Sequence, residues 1–227
     1  MIFALFLATT VNLLPNGNFD AGLEKTEYWE DADGLTSFWV DSGGVRERVL
    51  KLDSRPEQKQ VTEWQETRKS NPRAKPPPPI FAKAPYFSAV GGIEGVAIDS
   101  EMISIKKGQF YKLSVDVKGE SNPFVWIKGF RIHPRRKTLT DSYQTRLEVV
   151  PTNDWKTYSI GFNPTLHSPH TEMIKVRIYV YWPVGVCYFD NIRIEEITAD
   201  EMAILAKQRE FKNNTDSKEL KSDKKKP

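Results

Sequence analysis

Strict alternation of apolar and polar residues is the sequence feature that most constrains the fold of this chain. In the stretch VRIYVYW (176–182), every second residue is a β-branched aliphatic: Val176, Ile178 and Val180. Successive side chains of a strand point to opposite faces, so this set is expected to face a core. The residues between them are larger and polar or aromatic: Arg177, Tyr179 and Tyr181.

The same alternation recurs along most of the chain. It is found in five further stretches, at 48–53, 110–119, 124–132, 154–162 and 188–197. Turn residues separate these stretches, for example the segment Gly119–Pro123. Many short alternating strands with such breaks are typical of antiparallel sandwiches and jelly rolls. The sequence therefore predicts an all-β protein built as an antiparallel β-sandwich.

The ends of the chain read differently from the predicted sandwich at 12–198. Residues 1–11 are apolar and uncharged, too short to span a bilayer, and fit the apolar region of a secretory signal peptide. The alternative is a buried first strand. At the other end, 199–227 predicts a short helix, capped by Thr198 or Asp200, followed by a disordered Lys-rich tail.

A long insertion, residues 61–95, interrupts the strand pattern. Its first part, VTEWQETRKSNPR, is compatible with a short helix. Four consecutive prolines at 76–79 then favour polyproline II and exclude a central strand. Loops of this length are often functional or mobile.

Charge and cysteine content exclude several classes of protein. The net charge is +3, but residues 207–227 carry +4, so the remaining chain sums to −1. The body therefore lacks the basic character of a nucleic-acid-binding domain. The single cysteine, Cys187, excludes an internal disulfide and is predicted to be a small buried hydrophobe.

Four motifs, in a fixed order, resemble a known family. They are NLLPNGNFDAG (12–22), ISIKKGQFYKLSVDVKG (103–119), DWKTYSIGF (154–162) and YFDNIRIEEI (188–197). This ordered set resembles the CenC-like carbohydrate-binding modules, jelly-roll modules related to galactose-binding domains, over residues 12–60 and 96–198. The insertion is outside the common pattern and suggests a lineage-specific, planctomycete-type subgroup.

The resemblance implies a structural calcium ion where the first and last strands meet. Calcium requires several hard oxygen ligands. By motif position, the carboxylates of Asp20 and Asp190 and the backbone carbonyls of Asn18 and Arg48 would supply them. The sequence departs from the family in having Asp20 where Glu is usual, and in lacking an acid at the expected place in SGGVRER. The alternative is that both aspartates merely cap turns.

The outward side chains of two strands predict a sugar-binding face. Pyranose rings pack their C–H faces on aromatic rings, while their hydroxyls need fixed polar partners. With Val125 and Ile127 in the core, the predicted binding face consists of Trp126, Lys128, Phe130, Arg177, Tyr179 and Tyr181. Asp116 or Lys118 would add a polar rim. The alternative is that aromatic residues of the insertion fold back and bury this face as a second core. Trp39 and Trp155 match the family's structural tryptophans and are assigned to packing.

These features predict a non-catalytic protein that binds a polysaccharide or other glycan. A glycosidase needs two carboxylates placed across a cleft, and no acid stands in a recognisable catalytic motif. The expected protein is a secreted, periplasmic or cell-surface monomer without a nucleic-acid partner or a membrane span. The alternatives are a secreted structural or adhesion protein, and a small glycan-active lyase or hydrolase.

Overall fold

Two antiparallel sheets pack face to face in the computed structural model, which describes residues 11–23, 25–43, 46–84 and 87–209. Sheet 1 contains, in spatial order, β1 (Ser37–Asp41), β2 (Arg48–Asp53), β10 (Val186–Ile197), β5 (Phe110–Gly119) and β8 (Lys156–Phe162). Sheet 2 contains β3 (Val96–Asp99), β9 (Met173–Val180), β6 (Pro123–Ile132) and β7 (Leu139–Glu148), with β4 (Ile103–Ser104) also paired to β9. The predicted all-β sandwich is confirmed.

The core lies between the sheets and is lined by the apolar half of each alternating strand. Inward residues with no measurable exposure include Tyr111, Leu113, Val115 and Val117 on β5, Val125 and Ile127 on β6, and Val176, Ile178 and Val180 on β9. Burying one such aliphatic side chain contributes about 1.5–3 kcal/mol. The faces predicted from alternation are therefore the faces that the fold uses.

The segment that follows the apolar leader runs beside β10. The Asn12 side chain donates to the Ile192 carbonyl (3.1 Å) and accepts from the Ile194 amide (2.9 Å). The Ile192 amide donates to the Gly17 carbonyl at 2.7 Å. A Cβ atom at Gly17 would lie 1.8 Å from the Ile192 carbonyl oxygen, so only glycine allows this approach. The two ends of the sandwich therefore meet.

The insertion forms two helices that pack beside the sandwich: α1 (Gln58–Ser70), which confirms the predicted helix, and α2 (Val90–Ile93). Trp64 anchors α1, because its buried indole donates to the Asp33 carbonyl at 2.8 Å. The Gln60 amide holds the proline-rich segment by bonds of 2.7 Å to the Pro78 carbonyl and the Ile80 amide.

A third helix, α3 (199–209), covers part of the outer surface of sheet 1. Thr198 and Glu201 form a reciprocal capping box at its start, as the sequence predicted for Thr198. Met202 and Leu205 lie over Gly161 of β8. The predicted leader up to residue 10 and the tail at 210–227 lie outside the described residues. In the described part of the chain, no helix is long and apolar enough to span a membrane.

Candidate functional site

The outward surface of sheet 2 collects aromatic and basic side chains. We call it the aromatic face and define it by Phe124, Trp126, Lys128, Arg146, Lys175, Arg177, Tyr179 and Tyr181. These residues occupy the outward half of the alternation on β6, β7 and β9, and Tyr181 directly follows β9. The apolar core on the other side of the same strands fixes this orientation.

Strand register places Trp126 at the centre of the aromatic face. Trp126 is directly opposite Arg177 on β9 and Arg146 on β7. The Lys128 ammonium lies 5.1 Å from the centroid of the Trp126 ring, and the Arg146 guanidinium lies 5.5 Å from it. The Arg146 guanidinium is also 4.9 Å from the ring of Phe124. These distances are in the range of cation–π interactions.

Two stacked tyrosines extend the aromatic face at the end of β9. The rings of Tyr179 and Tyr181 are 6.0 Å apart and inclined by 17°. The Tyr179 hydroxyl donates to the Glu94 carbonyl at 2.6 Å, and burial raises the pKa of Tyr179. Gly95 lies directly beneath this ring, where an added Cβ would come within 2.6 Å of it. The ring is therefore held in place rather than free to rotate away.

A buried carboxylate on the edge strand β3 orients the basic residues of β9. Asp99 is 2% exposed and accepts from Arg177 in a bidentate pair of 2.6 and 2.8 Å, as well as from Lys175. Burial alone would raise the pKa of Asp99, but the hydrogen bonds and positive charges of these two partners lower it. Arg177 is therefore fixed beside Trp126.

Five of the six predicted ligand-binding residues share this face: Trp126, Lys128, Arg177, Tyr179 and Tyr181. The sixth, Phe130, has the same outward parity but is only 8% exposed. The register between β6 and β7 shifts between Gly129 and Phe130, and the Lys175 ammonium lies 5.6 Å from the Phe130 ring. Phe130 therefore offers little ring surface to a ligand.

The predicted polar rim of Asp116 or Lys118 is wrong. Both residues lie on β5, which belongs to sheet 1, and point to the opposite outer surface of the sandwich. Sequence reasoning also missed Phe124, Arg146 and Asp99. Phe124 could have been found from the sequence, because it belongs to the same alternating set as Trp126. Arg146 and Asp99 become neighbours of the site only through strand pairing.

The insertion does not cover the aromatic face with the residues that the structure describes. Its apolar side chains Ile80, Phe81 and Phe87 are 55%, 48% and 85% exposed, and Trp64 is buried elsewhere. Contacts between its end and the aromatic face are made by Glu94 and Gly95, beneath Tyr179. The described part of the insertion thus forms one border of the face.

The residues proposed as calcium ligands are divided between two clusters. Asp20 accepts from the Arg48 amide (3.1 Å) and from the Asn18 side chain (2.5 Å). Asp190, 5% exposed at its side chain, instead accepts from the guanidinium of Arg46.

Arg46 bridges two buried carboxylates on the outer surface of sheet 1. Its second nitrogen binds Asp116 at 2.8 Å, and its guanidinium lies 4.3 Å from the ring centroid of Trp155. Burial raises the pKa of Asp190. Burial acts in the same direction on Asp116, but hydrogen bonds from Thr157, Asn191 and Arg46 outweigh it and lower the pKa of Asp116.

This arrangement does not fit calcium at Asp190. Both oxygens of its carboxylate already accept hydrogen bonds, one from the Asn191 amide at 2.7 Å and the other from Arg46, which also supplies a positive charge. Among the residues that the structure describes, no three His, Cys, Asp or Glu side chains are grouped closely enough to hold a metal ion. The calcium site stays a prediction from the sequence resemblance.

Trp39, Trp155 and Cys187 occupy structural positions. The Trp39 indole donates to the Phe19 carbonyl at 2.6 Å and packs against the core, whereas Trp155 is half-buried beneath Arg46 on the outer surface of sheet 1. Cys187 is fully buried, as predicted, and burial raises the pKa of its thiol to about 12, which disfavours the nucleophilic thiolate.

Comparison with known proteins gives no family assignment. No family model and no curated protein matches the chain. Solved structures are similar to it at low identity. The enzymatically active domain of tailspike protein 4 from bacteriophage CBA120 has a TM-score of 0.49 and 12% identity over 82% of this chain, which spans only 22% of the tailspike chain.

Other similar structures are carbohydrate-binding modules. A family 16 module has a TM-score of 0.46 and 16% identity, covering 81% of this chain and 99% of the module. The CBM22-1 xylan-binding domain of Paenibacillus barcinonensis Xyn10C has a TM-score of 0.45 and 11% identity, covering 84% and 97% of the two chains. At these identities and TM-scores, the similarities do not identify a function for this chain.

Proposed function

We propose that this protein binds carbohydrate without catalysis, through the aromatic face of sheet 2. The observation that carries the proposal is the partly exposed set of rings on the outward surface of one sheet: Phe124, Trp126, Tyr179 and Tyr181. Flat rings accept the C–H faces of sugars. The basic side chains between them donate hydrogen bonds of the kind that sugar hydroxyls accept.

The aromatic face is organised before any ligand arrives. Arg177 is held by its bidentate pair with Asp99, and Tyr179 by its hydrogen bond to the Glu94 carbonyl. Side chains that are already ordered lose less conformational entropy on binding, which favours affinity for the same set of contacts.

Two acids at the borders of this face, Asp99 and Glu148, favour binding without turnover. Glycoside hydrolysis requires one carboxylic acid and one carboxylate that reach the scissile bond. Asp99 is buried and shared by two cations, while Glu148 is paired with Arg146 at 2.6 Å. Both acids are engaged in ion pairs that support the face, so we assign them positioning roles.

We further infer that the chain is a CenC-like module that acts outside the cell as a monomer. The support is the ordered set of four motifs and the uncharged leader at 2–11. The partner of a secreted module of this kind would be a polysaccharide. We infer that the chain does not bind nucleic acid.

Immobilised polysaccharides test the proposed function. The full chain is measured against a panel of plant, algal and bacterial glycans, together with Trp126→Ala, Tyr179→Ala and the control Phe87→Ala in the insertion. Removal of a central ring is expected to weaken binding by at least about tenfold with the fold intact, and removal of Phe87 to leave it unchanged. Unchanged affinity of folded Trp126→Ala would refute the proposal. Loss of binding only in Phe87→Ala would instead favour adhesion through the insertion.

A further inference from the structure

We propose that the aromatic face selects acidic glycans, a substrate class whose assignment rests on the function proposed above. A sugar ring stacks on Trp126, and its carboxylate or sulfate pairs with the ammonium of Lys128. The observations that point to this are the distribution of charge across sheet 2 and the surroundings of one indole ring.

Basic and acidic side chains are segregated across the strands of sheet 2. The two inner strands, β9 and β6, carry Lys175, Arg177 and Lys128 on their outward surface and contain no acidic residue. The acids are confined to the edge strands, with Asp99 on β3 and Asp141 and Glu148 on β7. The centre of the face is therefore positive, and its negative groups lie at the borders.

The acids on the edge strands do not neutralise the centre. Lys175 and Arg177 share the single carboxylate of Asp99, and the field of Glu30 and Asp141 also reaches Arg177. Asp99 balances part of this charge at the β3 side, whereas Asp141 lies on β7, opposite Phe130. The uncompensated positive charge is therefore at Lys128.

Lys128 is the basic side chain of the aromatic face without an acidic partner. Its ammonium donates to the Gln144 amide oxygen at 3.3 Å, and no carboxylate among the described residues lies within ion-pair distance of it. Arg146, the nearest basic neighbour around the ring, is paired with Glu148 on the exposed β7 edge. A neutral sugar hydroxyl gives an isolated ammonium a hydrogen bond similar to the one that it already makes with water. Such a hydroxyl therefore adds little binding free energy.

An anionic substituent would compensate the charge of Lys128 directly. The ammonium is 5.1 Å from the centroid of Trp126, so a sugar stacked on that ring brings its exocyclic group beside Lys128. A carboxylate or sulfate adds the attraction between opposite charges to the hydrogen bond that the ammonium donates in either case. A uronate or sulfated sugar can therefore stack on the Trp126 ring and form an ion pair with Lys128, whereas a neutral sugar can only stack on the ring.

Matched polymer pairs test this inference with the full chain. The pairs are polygalacturonate and its methyl ester, carrageenan and its desulfated form, and carboxymethyl and hydroxyethyl cellulose. A single-stranded DNA oligonucleotide serves as a polyanion without sugar stacking surfaces of this kind. Biolayer interferometry on the immobilised polymers at low and high ionic strength compares the unmodified protein with Lys128→Gln. The control Lys59→Gln removes one positive charge at an 83% exposed site on α1.

We expect the acidic member of at least one pair to bind about tenfold more tightly than its neutral partner at low salt. Lys128→Gln should abolish that preference, Lys59→Gln should retain it, and added salt should reduce it. Equal affinity for both members of every bound pair, or equal effects of the two lysine variants, would overturn the inference while leaving the proposed function intact. Tighter binding of the oligonucleotide than of any glycan would also overturn it. Failure of every glycan to bind would refute the proposed function itself.

Discussion

Substitution of Asp99 by Asn tests the reasoning about how the aromatic face is held together. Asn preserves the shape of the side chain but replaces one carboxylate oxygen with an NH2 group. In one orientation of the amide, the NH2 group would face the Lys175 ammonium and the terminal nitrogen of Arg177. In the other orientation, it would face the Nε atom of Arg177. One or two of the three charge-assisted hydrogen bonds are therefore lost, whichever way the amide is oriented.

The magnitude follows from these bonds and from their exposure. A hydrogen bond to a charged group contributes about 1.5–3 kcal/mol, and the lower end applies because the Arg177 side chain is 40% exposed. The expected loss in the free energy of unfolding is about 1.5–3 kcal/mol. Asp31→Asn is a matched control, since its carboxylate is 48% exposed and 3.5 Å from Lys25, and it should cost less than about 1 kcal/mol.

Urea unfolding at two pH values measures this effect and its sign. The positive partners lower the native pKa of Asp99 against burial, so the unfolded chain binds more protons there. The contribution of the Asp99 carboxylate to the free energy of unfolding is fully present above its unfolded-state pKa of about 3.9. This contribution is lost as the pH falls through the lower native-state pKa. The difference between the unmodified protein and Asp99→Asn should therefore be largest near neutral pH and shrink below about pH 3. A difference under about 0.5 kcal/mol at neutral pH, or one that grows on acidification, would contradict the reasoning.

Four further predictions concern other parts of the chain. Arg46→Met leaves two buried aspartates unpaired, and should lower the free energy of unfolding by about 2–4 kcal/mol in urea at neutral pH, with a cost near zero arguing that the bridge is not structural. If calcium binds as the resemblance implies, chelation of protein shown to be metal-loaded should lower the Tm. The loss in the free energy of unfolding would be about 2.7 kcal/mol where calcium had been at a hundredfold excess over its Kd. An unchanged Tm would exclude a structural site. Gly95→Ala and Gly108→Ala both place alanine at positive φ (+77° and +79°), but only the alanine at position 95 contacts the Tyr179 ring. Gly95→Ala should therefore destabilise the protein more than Gly108→Ala, and it alone should weaken glycan binding. Equal effects of the two variants would show that the ring moves freely. Removal of residues 210–227 should leave the Tm nearly unchanged, and a loss of cooperative unfolding would show that they pack.

Alternation in the sequence was sufficient to predict the sandwich and its core. Strands β2, β5, β6, β8, β9 and β10 all overlap stretches where apolar residues recur at every second position. Such a pattern has one arrangement that buries all its apolar side chains, so the inward and outward sets of β9 were fixed before pairing was known. The orientation of Trp126, Arg177 and Tyr179 follows from the same argument.

The strand β7, LTDSYQTRLE, was not predicted because burial contributes little to its formation. Apart from Leu147, its side chains are half-buried or exposed. It is an edge strand that forms because its backbone pairs with β6 at nine positions. Such strands depend on a partner whose position is not encoded locally.

Only the tertiary structure decided which strands share a sheet and which charges meet. The separation of β5 from β6 moved Asp116 and Lys118 to the opposite surface from Trp126. Asp99 reaches Arg177 across 78 residues, and Arg46 reaches Asp190 across 144. Periodicity specifies the face of a strand on which a side chain lies, because it reflects local backbone geometry. The neighbour across the sheet depends on long-range pairing and register, and these follow from packing of the whole chain.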